Sequence, residues 1–94
     1  MSFAGAIVNV RGVVQGVGFR YWCRKKANEI GVRGYTTNLR DGTVEVAFEG
    51  DRGLVEEFIK ELRIGPVYAH ITDLKIERYD TPRGYDDFRI TFID

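Results

Sequence analysis

Residues 12–20 read Gly-Val-Val-Gln-Gly-Val-Gly-Phe-Arg, and they offer the clearest chemistry in the chain. Gly12, Gly16 and Gly18 let the backbone turn tightly and present N–H groups without Cβ obstruction. An apolar run with Ala6, Ile7, Val8 and Val10 comes before the stretch, and a segment with helical periodicity comes after it. A strand, a glycine loop and a helix start in that order suit an anion. Converging amides meet a helix N-terminus that carries roughly half a positive charge. Arg20 stands at the loop's exit, where its planar fork can clamp two oxygens of a phosphate.

A glycine-rich strand-to-helix turn can also be only a turn, so the spacing has to be tested against known phosphate motifs. After Gly16 and Gly18, the third glycine of a dinucleotide fingerprint would fall at position 21, which is Tyr21. No Gly-Lys-Ser/Thr closes the loop, and no cysteine lies inside it to act as a thiolate nucleophile. What remains is a phosphate-sized cradle with an arginine and no covalent nucleophile.

The bulk numbers bound the rest. Ninety-four residues make one domain, near the lower end of what a single core stabilises without staples. A composition 44% apolar and 30% charged is that of a globular protein. Zero formal net charge argues against a general nucleic-acid binder, although Arg24, Lys25 and Lys26 supply a local basic patch. One cysteine cannot form an internal disulfide, which fits a reducing compartment. No signal-peptide pattern opens the chain and no apolar run is long enough to span a bilayer. The expected location is the cytoplasm.

The elements that must position the loop follow from periodicity. Residues 4–11 alternate Ala6, Val8 and Val10 against Ile7, Asn9 and Arg11, predicting a central strand. Phe19, Trp22, Cys23, Ala27 and Ile30 form a helical stripe that stops at Gly31, with Cys23 and Trp22 read as core. Residues 32–39 and 43–49 are β-rich runs joined through Asp41-Gly42, a strong hairpin signal. Val44, Val46 and Phe48 should face inward, and Glu45 and Glu49 outward. A second helix opens at Gly50-Asp51, with Asp51 as its N-cap and Leu54, Val55, Phe58, Ile59 and Leu62 as its apolar face. Glu56 and Glu57 diverge by about 100° and read as a solvated face. Residues 71–79 predict another strand, 79–87 a loop, and Phe88, Ile90 and Phe92 a last short one. His70 lacks partners at metal-ligand spacing, while Asp86 and Asp87 suit either a cation or an exposed turn.

The order is β-α-β-β-α-β plus a terminal strand. It predicts an α+β, ferredoxin-like two-layer sandwich, with two helices on one face of a four-stranded antiparallel sheet. Right-handed crossovers put the first and third strands at the centre, so the glycine loop and the end of the second strand come close together. Asn38 terminates that second strand.

With the loop and Asn38 placed, the chain resembles the acylphosphatase family over essentially its whole length. The carriers are Gly12 to Arg20, then Gly31-Val-Arg-Gly-Tyr-Thr-Thr-Asn38-Leu-Arg-Asp-Gly42-Thr-Val-Glu-Val46, the Glu49-Gly-Asp51 step and Gly65-Pro66. Thr36, where a bulkier β-branched aliphatic is usual, and Val67, where a second proline is common, depart from the pattern away from the site. The resemblance implies one domain over 1–94 that hydrolyses the carboxyl–phosphate bond of acyl phosphates. Arg20 would bind the phosphate and Asn38 position the attacking water. The amides of Gln15, Gly16, Val17, Gly18, Phe19 and Arg20 would cradle the phosphoryl oxygens. No metal, cofactor, nucleic acid or membrane is expected, inorganic phosphate should act as product and inhibitor, and a monomer is the expected state. Two other classes stay open. One is a non-catalytic phosphate or carbamoyl-phosphate-binding module. The other is an RNA-recognition-like domain using Tyr35 and Phe48, although the third strand lacks that module's basic-glycine-aromatic run.

Overall fold

The structure is a computed structural model and describes residues 2–92. Its elements run β1 (Phe3–Val13), α1 (Phe19–Ile30), β2 (Arg33–Asn38), β3 (Val44–Asp51), α2 (Arg52–Ile64), β4 (His70–Tyr79) and β5 (Phe88–Thr91). The sheet order is β4-β1-β3-β2-β5, with β1 and β3 central as the crossover rule requires.

One expectation needs correction. The sheet is five-stranded and mixed, because β5 joins it parallel to β2 while the other three pairings are antiparallel. β4 and β5 lie at opposite edges, so residues 80–87 must carry the chain across the sheet. That crossing delivers β5 in the same direction as β2.

Period-two alternation divides the sheet into an inner and an outer face. On the inner face the β1 residues Ala6, Val8 and Val10 stand opposite Phe48, Val46 and Val44 of β3. These are fully buried against Phe19, Cys23 and Ala27 of α1 and Val55, Phe58 and Leu62 of α2. Phe58 meets Phe48 and Phe88 edge-on, at centroid distances of 4.7 and 6.0 Å, so α2 locks onto both a central strand and the added one.

Helix boundaries match the sequence signals, with one difference in chemistry. Gly31 ends α1 in a left-handed conformation, φ 107°, and its N–H returns to Ala27 O at 2.7 Å. Asp51 occupies the N-cap of α2 but makes no side-chain capping bond.

The outer face holds a second correction. Glu45 is half-buried and accepts from Tyr35 OH at 2.7 Å, but Glu49 is only 2% exposed. Its carboxylate receives the Tyr79 hydroxyl at 2.9 Å and the backbone N–H groups of Arg83 and Gly84 at 2.9 and 3.0 Å. Alternation placed Glu49 on the correct face, but the crossing loop covers that face where a solvent surface was expected. Burial alone would raise the carboxyl's pKa; the bonds from Arg83, Tyr79 and Gly84 outweigh it and hold the value below the ordinary carboxylate range.

Candidate active site

The site begins where β1 leaves the sheet. The β1–β4 register slips between Arg11 and Gly12, a bulge that turns the chain toward α1. Gly16 and Gly18 then adopt left-handed backbone, φ 74° and 80°, a region that side-chain-bearing residues enter at a cost of about 1–2 kcal/mol. Gly18 is the N-cap of α1. It has no side chain to cap the helix, and the first turn carries no acidic residue. The leading amides of a helix lack intrahelical acceptors, so this end presents donors with no protein counter-charge beside them.

Three contacts tie the loop to its surroundings. Gln15 Nε2 donates to Leu39 O at 2.7 Å and to Thr43 O at 2.9 Å, stapling the loop to the β2–β3 hairpin. The hairpin closes itself through Leu39 N–H to Thr43 O at 2.8 Å and through Asp41, which accepts both the Thr43 amide and hydroxyl. At the other side, Arg20 Nη1 donates to Thr91 O at 3.1 Å, and its guanidinium carbon lies 4.9 Å from the Phe92 ring centroid.

Asn38 completes the arrangement. Its place in β2, opposite Val44, puts it on the same inner face as Gly34 and Thr36, toward α1. Its Oδ1 is buried and has no hydrogen-bond partner in the protein. A recess of about 180 Å³ brings it together with Val14, Gly16, Gly18, Phe19, Arg20 and Tyr21.

Of the six residues expected to form the cradle, Gly16, Gly18, Phe19 and Arg20 therefore line this recess with Asn38. Gln15 and Val17 do not: Gln15 spends its side chain on the hairpin, and Val17 packs against the core. Sequence reading missed Tyr21, which falls off the buried stripe of α1, and the contacts from Thr91 and Phe92. No motif signals that the far end of the chain reaches Arg20; only the parallel β2–β5 pairing explains it.

The remaining sequence candidates lie elsewhere. Cys23 is fully buried, and burial pushes its thiol pKa up. Glu56 pairs with Arg78, while Glu57 is exposed. Lys26 of the basic patch is engaged by Glu29 at 3.8 Å and Glu61 at 3.4 Å. Asp87 accepts from Arg89, and His70 is exposed at the start of β4. Among the described residues, no group of His, Cys, Asp and Glu side chains is placed to hold a metal. Phe48, offered above as a base-stacking residue, is fully buried between sheet and helix, and Tyr35 meets Tyr85 edge-on at 5.9 Å. No helix among the described residues is long and apolar enough to cross a membrane.

Comparison with known proteins places these features among relatives. The family model described as Acylphosphatase matches residues 6–90. The acylphosphatase of Thermotoga maritima is 44% identical over 85 residues, covering 90% of this chain and 93% of its own. The crystal structure of the Bacillus subtilis acylphosphatase superposes with a TM-score of 0.90 at 30% identity, covering 94% of this chain and 98% of that one. An acylphosphatase from Coxiella burnetii gives 0.89 at 34% identity, with 96% and 94% covered.

Proposed function

The chain belongs to the acylphosphatase family, enzymes that hydrolyse acyl phosphates, and from that premise we propose that its chemistry runs at the recess between the 14–18 loop and Asn38. The phosphoryl group sits on the amides at the start of α1, with the Arg20 guanidinium on two of its oxygens. Thr91 and Phe92 hold Arg20 from behind, so the fork is oriented before substrate arrives. One observation carries this reading: Asn38, whose buried Oδ1 has no hydrogen-bond partner in the protein, lines the same recess as Arg20 and the two left-handed glycines.

That oxygen accepts a hydrogen bond from the attacking water. The water oxygen bonds to phosphorus, the P–O bond to the acyl carboxylate breaks, and its electron pair leaves with the carboxylate. Both water protons pass to phosphate oxygens, so a dianionic acyl phosphate and water give a carboxylate and dihydrogen phosphate. An amide cannot act as a base at neutral pH, and the substrate's own oxygens take the proton. A carboxylate is a good leaving group, so catalysis reduces to positioning and charge stabilisation. No covalent intermediate forms.

β1, β2 and β5 belong to one sheet packed on one core, which supports a single domain, and the state we propose for it is a monomer. A free, buried Cys23 suits a reducing cytoplasm. Inorganic phosphate, the product, competes for the same cradle. The test is phosphate release from benzoyl phosphate by the wild type and by Arg20 and Asn38 variants. Turnover by the wild type that collapses in both variants supports the site; variants as fast as the wild type move the chemistry elsewhere.

A further inference from the structure

An acyl phosphate has two halves, and the donors around the recess of about 180 Å³ account for its phosphate half. What the protein offers the acyl half is visible in where its exposed apolar side chains fall. Among the described residues, the large ones are Val13, Tyr21, Ile64, Val67, Tyr68 and Phe92. Single exposed apolar residues need no explanation, but a group collected at one end of a molecule does. Val13 immediately precedes Val14 of the recess wall, Tyr21 is part of that wall, and Phe92 lies against Arg20. Tyr68 and Val67 belong to the α2–β4 connection, which follows Ile64 at the end of α2, and Tyr68 Cε1 comes within 4.0 Å of where a Cβ on Gly18 would stand.

We propose that Tyr21 and Tyr68 form the acyl-binding rim of the site, so that the enzyme selects acyl phosphates with aromatic or extended apolar acyl groups over those with small ones. The inference rests on the recess being the phosphate site described above. A substrate seated there by its phosphate projects its acyl group outward past Gly18 and Tyr21, where the two rings stand 52% and 61% exposed for Tyr68 and Tyr21. A phenyl or long alkyl group reaches these rings; an acetyl group ends before it covers them. Ring contacts of this kind favour binding of substrate and transition state alike, so they lower KM more than they raise kcat.

The test compares kcat/KM for benzoyl phosphate and acetyl phosphate in the wild type, Tyr68→Ala, Tyr21→Ala and the double variant, with inhibition by inorganic phosphate measured alongside. Both side chains are largely exposed, so the variants fold. The benzoyl-to-acetyl ratio should fall about 10-fold in the double variant, the loss appearing in KM. The phosphate inhibition constant should not move in Tyr68→Ala, whose side chain is outside the recess lining. A ratio unchanged in all three variants overturns the rim, and so does an equal loss on both substrates. If the wild type hydrolyses neither substrate, or Asn38→Ala hydrolyses both normally, the site assignment itself has failed, a different result from failure of the rim.

Discussion

Two places in this molecule gather hydrogen-bond donors onto a small volume, and they are filled differently. Around Glu49, the Tyr79 hydroxyl and the amides of Arg83 and Gly84 converge on a carboxylate supplied by the chain itself. At the head of α1, a glycine N-cap, an arginine and a half-buried asparagine surround a recess whose lining includes no acidic residue. The first is an anion site closed by its own sequence, and it fastens a loop. The second has been left without a counter-charge, which is the arrangement a phosphoryl group needs. Donors converging on a point do not mark function; donors converging where the protein withholds the anion do.

Substitutions at the two places should therefore separate catalysis from stability. The largest effect is expected for Arg20→Lys, which keeps the charge but loses the fork held by Thr91. Its kcat/KM should fall by about 10³-fold, with weaker phosphate inhibition, as for loss of an oriented arginine at a phosphoryl transition state. Asn38→Ala should lower kcat by about 10²-fold while leaving phosphate inhibition intact, the scale of one preorganised polar contact. Neither change should cost much stability in urea.

Glu49→Gln should do the reverse. Replacing a carboxylate that accepts charge-assisted bonds should cost about 2 kcal/mol in urea unfolding at pH 7, with turnover per folded molecule retained. The pH dependence has a definite sign. The folded-state pKa of Glu49 is depressed, so its contribution is complete above the unfolded value of about 4.3 and is lost as pH falls through the folded value. The stability gap between wild type and Glu49→Gln should therefore be constant near neutrality and close in acid. A gap independent of pH would mean the carboxylate's charge is not what fastens the loop. The smallest effect is expected at Cys23, where thiol reagents should leave activity unchanged because the sulfur is buried and its thiolate disfavoured.

The same contrast shows what could be read from sequence. Gly16, Gly18, Arg20 and Asn38 were legible because tight turns, phosphate forks and strand ends restrict residue type locally. The inner face was legible because Val8, Val10, Val46 and Phe48 alternate with period two. Glu49 was misjudged because alternation assigns a face and says nothing of what covers it; the cover comes from residues 80–87, distant in sequence. The last strand was expected from Phe88, Ile90 and Phe92, but the same crossing explains why its place beside β2 and its grip on Arg20 went unseen. A four-residue strand carries too little pattern to declare its partner, and its parallel pairing with β2 is decided by the crossing loop. The role of the Gln15 side chain went unseen as well, because its acceptor lies in the hairpin 24 residues on.

The claim on which the account rests is that phosphate occupies the recess at the head of α1, and amide chemical shifts followed by NMR during titration with inorganic phosphate test it most directly. The account predicts saturable shifts at Gly16, Gly18, Phe19 and Arg20 and at the Asn38 side chain, with Arg83 and Gly84 unmoved. Saturable shifts confined to other amides, with the 16–20 loop and Asn38 silent, would contradict it.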